Sequence, residues 1–324
     1  MTIASIIEFQ NVTKQYGDGT KAVDSLNLEI KKGEFIVLIG PSGCGKTTTL
    51  KMINRLIEPT AGSILINGKN AVRYDVDRLR WNIGYVLQQI ALFPHMTVEE
   101  NIRVVPDMKR TEKGTIKQRV HELLEQVGLD PAVFAHRKPS ELSGGQQQRV
   151  GVIRALAADP EILLMDEPFS ALDPVAREKL QDDMLHLKRS FGKTTVFVTH
   201  DMGEALKLAD RICLMRDGKI VQAGTPDELR RNPSGEFVRE FIGSRKDHLQ
   251  DVLDLRHWVS GSPYITPKPQ TVLTADIRAD RLVSVMADHE AVGVEDGGEL
   301  IGMIDRAAAF RLLAAGRKGA GQHD

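Results

Sequence analysis

Cysteine is scarce in this chain, with two in 324 residues, Cys44 and Cys213. Their separation offers neither a metal-ligand spacing nor a disulfide framework, which favours a reducing, cytosolic compartment. Charge of one sign is also missing, since 43 Lys and Arg stand against 44 Asp and Glu. Without a basic footprint, no nucleic-acid partner is expected. No apolar run approaches the roughly 18 residues that would cross a bilayer. The opening stretch Met1 to Gln10 lacks a basic-then-apolar leader and already contains Glu8. A chain of this kind working at a membrane would have to attach through a partner. Low-complexity tracts and convincing internal repeats are lacking as well.

What is present is a globular composition, with 41% hydrophobic residues, and a length exceeding one typical domain. Ile6 to Val12 and Leu26 to Ile30 alternate as strands do. Phe35 to Ile39, Ile162 to Met165 and Thr195 to Val198 are short continuous apolar runs, as expected of strands buried on both faces of a parallel sheet. Lys46 to about Leu56 reads as helix, and so does much of the charged stretch between Phe93 and Leu142, for example Ile116 to Val127. Strands alternating with helices predict an α/β domain whose ligand lies at the carboxyl ends of the strands. The segment from 93 to about 150 is expected as a helical insertion. Ser260-Gly261-Ser262-Pro263 and Pro267-Lys268-Pro269 read as linker. Beyond them, Val272 to about Leu313 carries a short strand–helix–strand pattern.

Three stretches carry chemistry. Gly40-Pro41-Ser42-Gly43-Cys44-Gly45-Lys46-Thr47 has the spacing of a phosphate-binding loop, directly after a buried strand and before a helix. Glycines let successive backbone N–H groups face a phosphate, and the helix end adds a favourable dipole. Lys46 is placed to neutralise β- and γ-phosphates, and the Thr47 hydroxyl to ligate Mg²⁺. A chance match in a chain of this composition has odds of roughly one in fifty. Cys44 inside the loop reads as a small residue that fits, because nothing nearby resembles a histidine base.

Ile162-Leu163-Leu164-Met165-Asp166-Glu167 is an apolar strand ending in two acids, beside the phosphate loop if the two strands are neighbours. Asp166 is expected to hold Mg²⁺ through its water shell, and Glu167 to polarise the attacking water. Followed by Pro168, the pair taken alone also fits a helix start. Val196-Phe197-Val198-Thr199-His200 repeats the theme, with His200 placed to contact a γ-phosphate and to position Glu167. Alone, a histidine after a strand is more often structural. Gln88 after an apolar run and Tyr16 before the loop, whose ring could stack on adenine, are equally mute by themselves. The third stretch, Leu142-Ser143-Gly144-Gly145-Gln146, is a second anion cradle, a Ser-Gly-Gly turn opening a helix. Its five residues arise by chance with odds of about one in a thousand.

Taken in order, Tyr16, the phosphate loop, Gln88, Ser143 to Gln146, Asp166-Glu167, Ser170-Ala171-Leu172-Asp173 and His200 resemble the motifs of ATP-binding-cassette (ABC) ATPases over roughly residues 5 to 243. The resemblance implies a P-loop α/β fold with a helical subdomain near 93–150, and ATP with Mg²⁺ as cofactors. Gly40, Ser42, Gly43, Cys44, Gly45, Lys46, Thr47 and Thr48 would bind nucleotide, with Tyr16 at the adenine. Thr47, Gln88 and Asp166 would serve the metal, and Glu167, His200 and Gln88 the reaction. It further implies a head-to-tail homodimer in which Ser143, Gly144, Gly145 and Gln146 of one copy face the nucleotide of the other, with Asp173 communicating between the sites. Integral membrane permease subunits would dock near Phe93-Pro94-His95, alongside a substrate-binding protein in the full complex. The chain would then sit peripherally on the cytoplasmic face of the inner membrane.

Lys51 to Thr60 and Gly84 to His95 are most similar to the osmoprotectant import branch of this family, whose members move glycine betaine, choline, carnitine or proline. Import of another small solute, and a soluble ABC ATPase outside transport, are the alternatives. The latter is disfavoured because neither a coiled-coil insertion nor a second cassette is present. Members of that branch often carry paired cystathionine-β-synthase (CBS) modules. Ala291 to Arg306 resembles the hairpin and helix of one such module, with Asp296-Gly297-Gly298 as its turn. The expected organisation is therefore an ATPase domain at 5–243, a linker at 244–270 and a small α+β, partial CBS-like domain at 271–316.

Overall fold

The computed structural model describes residues 4–170, 172–243, 252–259, 269 and 271–315. The chain divides into two compact units, Met1–Ile242 and Gly243–Asp324.

In the first unit, β3 (Phe35–Ile39) is buried at every residue, which accounts for its unbroken apolar sequence. It lies inside a six-stranded sheet with β8 (Thr194–Thr199) on one side and β9 (Arg211–Arg216) on the other, both parallel to it. Outward from β8 come β7 (Ile162–Asp166) and β6 (Ile83–Val86), also parallel, while β10 (Lys219–Gly224) closes the far edge antiparallel to β9. The strand bearing the two acids is therefore not the neighbour of the strand feeding the phosphate loop. β8 lies between them. Helix α1 (Lys46–Ile53) contacts both β7 and β8 and makes the connection over the top.

The two faces of β3 serve different cores. Ile36 and Leu38 join Leu50, Met52 and Ile53 of α1 and the inward side chains of a second, antiparallel sheet. That sheet runs β2 (Lys21–Lys31), β1 (Ser5–Gln15), β4 (Ala61–Ile66), β5 (Lys69–Asn70). On β2, buried Leu26, Leu28 and Ile30 alternate with exposed positions, the period of a strand with one wet face. A short helix, α2 (Val76–Trp81), leads from this sheet to β6 and is capped by the Asp75 carboxylate. Phe35, Val37 and Ile39 face the opposite core, which is built largely from helices. These are α3 (Val98–Met108), α4 (Lys113–Gln126), α5 (Pro131–Phe134), α6 (Gly144–Leu156), α7 (Pro174–Phe191) and α8 (Met202–Leu208). Thr97 and Glu100 form a capping box at the start of α3, which satisfies two of the backbone N–H groups a helix start leaves over. Asn101, fully buried, donates to the carbonyls of Phe93, Met96 and Thr97 and accepts from Phe93 N at 2.8 Å, so one side chain shapes the loop from 93 to 97. Helices α9 (Pro226–Arg231) and α10 (Glu236–Gly243) follow the sheet.

The second unit has its own core, around Leu255, Leu273, Ile277, Leu282, Val292, Val294 and Ile304. Strand β11 (Val252–Asp254) pairs antiparallel with β13 (Asp276–Arg278), and β12 (Val272–Thr274) pairs with β14 (Ala291–Asp296), which pairs with β15 (Glu299–Asp305). Helix α11 (Ala279–Asp288) joins β13 to β14, and α12 (Arg306–Ala315) follows β15. The β14–β15 turn is the expected Gly297-Gly298, with φ of 60° and 91°, values that permit a two-residue hairpin twisted like its strands. The stretch 244–270, expected as linker, departs from that expectation within its described part. Residues 252–254 form β11, and Leu255 is fully buried. Three residues of strand are too few to display a period, so their pairing was not visible locally. Ser260 to Lys268 lie outside the described residues, as does Ala171.

Candidate nucleotide site

The loop from Gly40 to Gly45 folds as it does because two glycines allow close approaches. At Gly40 (φ 155°) a Cβ would come within 2.1 Å of the Met215 carbonyl, and at Gly45 (φ 102°) within 2.2 Å of the Ala22 carbonyl. Backbone conformations of this kind are open essentially to glycine alone. The result is a cleft of about 200 Å³ lined by Ser42, Gly43, Gly45, Lys46, Thr47, Thr48 and Glu167. Lys46, largely buried, turns its ammonium onto the loop, donating to Gly40 O at 2.8 Å and Pro41 O at 2.9 Å.

Gly40 and Cys44 do not line the cleft. The Cys44 side chain is buried beside Gly40, its sulfur 3.8 Å from Lys46 Nζ, and burial pushes its thiol above the ordinary value. It is a packed, protonated side chain rather than a reactive thiolate.

Across the cleft, the Thr47 hydroxyl donates to Asp166 Oδ1 at 2.8 Å. Burial raises the Asp166 carboxyl, while the Thr47 hydrogen bond and the Lys51 charge pull it back. Tyr85, on β6, completes this corner, for burial and the Asp166 charge together push its phenol up. Hydroxyl and carboxylate oxygens in this arrangement are hard donors, suited to Mg²⁺. Among the described residues no group of three His, Cys, Asp or Glu could hold a metal ion by itself.

Glu167 follows β7 with φ 43°, a left-handed backbone unusual for a non-glycine residue and costing about 1 kcal/mol. Its N–H donates to Val198 O at 3.0 Å and its carbonyl accepts from the Ser170 hydroxyl at 3.0 Å, so neighbours on both sides hold the kink. The kink aims the carboxylate at the cleft, where Oε2 lies 3.2 Å from His200 Nδ1 and 3.5 Å from Gln88 Nε2. The structure thus brings Glu167, His200 and Gln88, separated widely in sequence, onto one carboxylate oxygen. Beneath His200 sits a pair of buried acids that motif reading passed over. Asp201 caps α8 by accepting from Glu204 N, and the Thr199 hydroxyl donates to Glu204 Oε2 at 2.5 Å. The acid–x–x–Glu spacing that opens α8 was the available signal.

Ser143, Gly144, Gly145 and Gln146 stand apart from this cleft and line none of it. Ser143 caps α6 in a capping box, with Gln146 N donating to its hydroxyl at 3.3 Å and its own N–H donating to Gln146 Oε1 at 2.9 Å. A Cβ at Gly144 would meet open space. Asp173 caps α7, accepting from Ala176 N at 3.0 Å. Tyr16 lies in the β1–β2 turn, 43% exposed, with Lys14 Nζ 5.4 Å from its ring centre. A further exposed patch surrounds Phe93, 41% exposed, whose ring is covered on one side by Arg154. Arg154 in turn donates to Ala91 O at 2.7 Å.

The ABC transporter family model matches residues 23–170. The osmoprotectant import ATP-binding protein OsmV of Salmonella typhimurium is 51% identical over 312 residues, which span 94% of this chain and 80% of that protein. The glycine betaine/carnitine/choline transport ATP-binding protein OpuCA of Bacillus subtilis is 49% identical over 308 residues, 93% of this chain and 80% of that protein. Among solved structures, a dimeric ATP-binding cassette in a post-hydrolysis state, bound to ADP and Pi, superposes with a TM-score of 0.61. It is 38% identical and covers 68% of this chain and 98% of that one.

Proposed function

This chain belongs to the ABC transporter family as an ATP-hydrolysing subunit, and from that premise we propose that it powers import of an osmoprotectant of the glycine betaine, choline, carnitine or proline class. The observation that carries the substrate class is similarity near 50% to relatives named for osmoprotectant import and for glycine betaine, carnitine and choline transport, extending over more than nine-tenths of the chain. The substrate itself would be bound by a separate binding protein and passed through membrane permease subunits. No described helix is long and apolar enough to cross a membrane, so attachment at the cytoplasmic face would be peripheral. The exposed Phe93 patch, with its loop fixed by buried Asn101, is the docking surface this reading assigns to the permease.

Each site residue then has a task. The Ser42–Thr48 backbone and Lys46 cradle the phosphates, and Tyr16 stacks on the adenine. Thr47 and Asp166 would hold Mg²⁺, with Gln88 reaching the site through its contact to Glu167, and the cation would offset phosphate charge. Glu167 polarises the water that attacks the γ-phosphorus, while His200 and Gln88 fix the rotamer of its carboxylate. Ser143 to Gln146 do not line their own cleft, and by analogy with the dimeric cassette of similar fold they would complete the cleft of a second copy, head to tail. ATP is then shared by two anion cradles, and hydrolysis removes the ligand that favours the closed state. The second unit is a single CBS-like module that adjusts transport to ionic conditions.

The substrate class is tested by uptake of labelled glycine betaine in cells lacking this gene and other betaine carriers. Expression of the wild-type chain with its permease restores uptake at high osmolarity, and expression of Glu167→Gln does not. Equal uptake with and without the wild-type chain would rule the assignment out.

A further inference from the structure

Arg177 belongs to none of the motifs above, yet its guanidinium reaches two of the loops they define. It lies in the first turn of α7, where its N–H donates to Asp173 O at 2.9 Å. Its Nη2 donates to Leu172 O at 3.3 Å, so side chain and backbone are both tied to the loop that carries Asp173. Its Nη1 lies 4.0 Å from Asp201 Oδ2. Asp201 follows His200 directly, is 6% exposed and caps α8. Its own N–H donates to Thr199 Oγ1 at 2.9 Å, on the other side of His200. With Glu204 behind it, two buried carboxylates bracket the turn that carries His200, bonded to Thr199 and to the start of α8, and Arg177 on α7 is a cation acting on that pair.

The chemistry suits a link better than a brace. A planar fork can hold a carbonyl with one nitrogen and a carboxylate with another, which a lysine ammonium on its flexible stem cannot do with the same geometry. The two ends are unequal here. The Leu172 contact is a hydrogen bond, whereas the Asp201 contact lies about 1 Å beyond charge-assisted hydrogen-bond length. Arg177 Nε, buried, makes no hydrogen bond of its own. A movement of the Asp173 loop of about that size would convert the long contact into a short one and tighten the support under His200.

We propose that Arg177 is a positioning residue that couples the Asp173 loop to the His200 loop, so that seating of the Asp173 loop against a second copy sets where His200 stands relative to Glu167. This rests on the two-copy reading above and adds to it a route by which one site senses closure at the other. Arg177 touches no nucleotide in this scheme. Its loss leaves binding intact and lowers turnover and cooperativity.

The test is steady-state ATP hydrolysis by the purified full-length chain, alongside binding of a fluorescent ATP analogue. For Arg177→Met, analogue Kd and KM stay within about twofold of wild type, while kcat falls about tenfold or more and the Hill coefficient drops towards one. Arg177→Lys restores only part of kcat. Asp201→Asn lowers kcat similarly, and combining it with Arg177→Met adds little further loss, because both break one link. Wild-type kcat and cooperativity in Arg177→Met would overturn the proposal, as would a double variant whose losses simply multiply. Should Arg177→Met fail to fold, Arg177→Lys with wild-type kcat and Hill coefficient overturns it equally. A wild-type chain that hydrolyses ATP without cooperativity would instead sink the two-copy reading itself.

Discussion

At Glu167 a strained backbone and a polar cluster coincide. A non-glycine residue at positive φ persists only where its surroundings over-determine it, and here the Val198 and Ser170 contacts do so. The expected outcome of Glu167→Gln follows from the geometry. The amide keeps the shape and the reach towards His200 and Gln88 but cannot accept a proton, so kcat should fall by about 10²–10⁴ with ATP binding retained. Single-turnover hydrolysis measures this, and a normal rate would remove Glu167 from the role of base. Glu204 makes a different prediction. Burial, opposed by the Thr199 hydrogen bond, raises its carboxyl above the ordinary value. Below the ordinary glutamate range the group is protonated in folded and unfolded chains alike, and the fold bears no penalty. As pH rises from there through the raised folded value, the unfolded chain ionises first and stability is lost. Glu204→Gln escapes that loss, so its melting temperature should gain on wild type as pH rises above the ordinary glutamate value. A difference that stays constant with pH would contradict the assignment.

Among the elements, α6 matters most to the proposed two-copy site, because it opens at Ser143 and is anchored to α7 through Arg149. Arg149 Nε lies 2.7 Å from Asp183 Oδ2 on α7, with only 9% and 19% of the two side chains exposed. Burial raises the Asp183 carboxyl and the Arg149 charge opposes that rise. The pair ties the helix capped by Ser143 to the helix capped by Asp173, the two elements that the proposed head-to-tail arrangement would turn toward a second copy. Removing one partner strands a buried charge, and Arg149→Met should therefore cost about 3 kcal/mol in chemical denaturation. Arg149→Met combined with Asp183→Leu should recover most of it, and a double variant as unstable as the single one would show that the charges are not coupled. At the start of α6, Ser143→Ala loses one cap, about 1 kcal/mol of stability. It should lose ATP-dependent dimerisation far more completely, as measured by light scattering with hydrolysis blocked.

The whole molecule is two units with separate cores, and that separation makes truncation informative. The second unit bears an exposed charge cluster in which Arg256 bonds Asp254, Asp276 and Asp296, holding the Asp276 and Asp296 carboxyls below their usual range. Contacts of this exposure are screened by salt. A chain ending at Gly243 should keep its ATPase activity and lose the dependence of transport on ionic strength, read in vesicles at graded salt. Unchanged salt dependence after truncation would refute the regulatory role of the second unit.

The division of labour between sequence and tertiary structure is clear at particular residues. Phe35–Ile39, the glycine-rich loop and the Ser143–Gln146 turn declared themselves in order along the chain, because their chemistry is local: an unbroken apolar run means burial on two faces, glycines mark close backbone approaches, and Ser-Gly-Gly-Gln opens a helix with its own cap. Only the tertiary structure interposed β8 between β3 and β7, turned Cys44 inward, gathered Gln88 and His200 onto one oxygen of Glu167 and folded residues 252–255 into a second core. Strand order and side-chain convergence depend on packing between segments tens of residues apart, and that packing leaves no local signature to read.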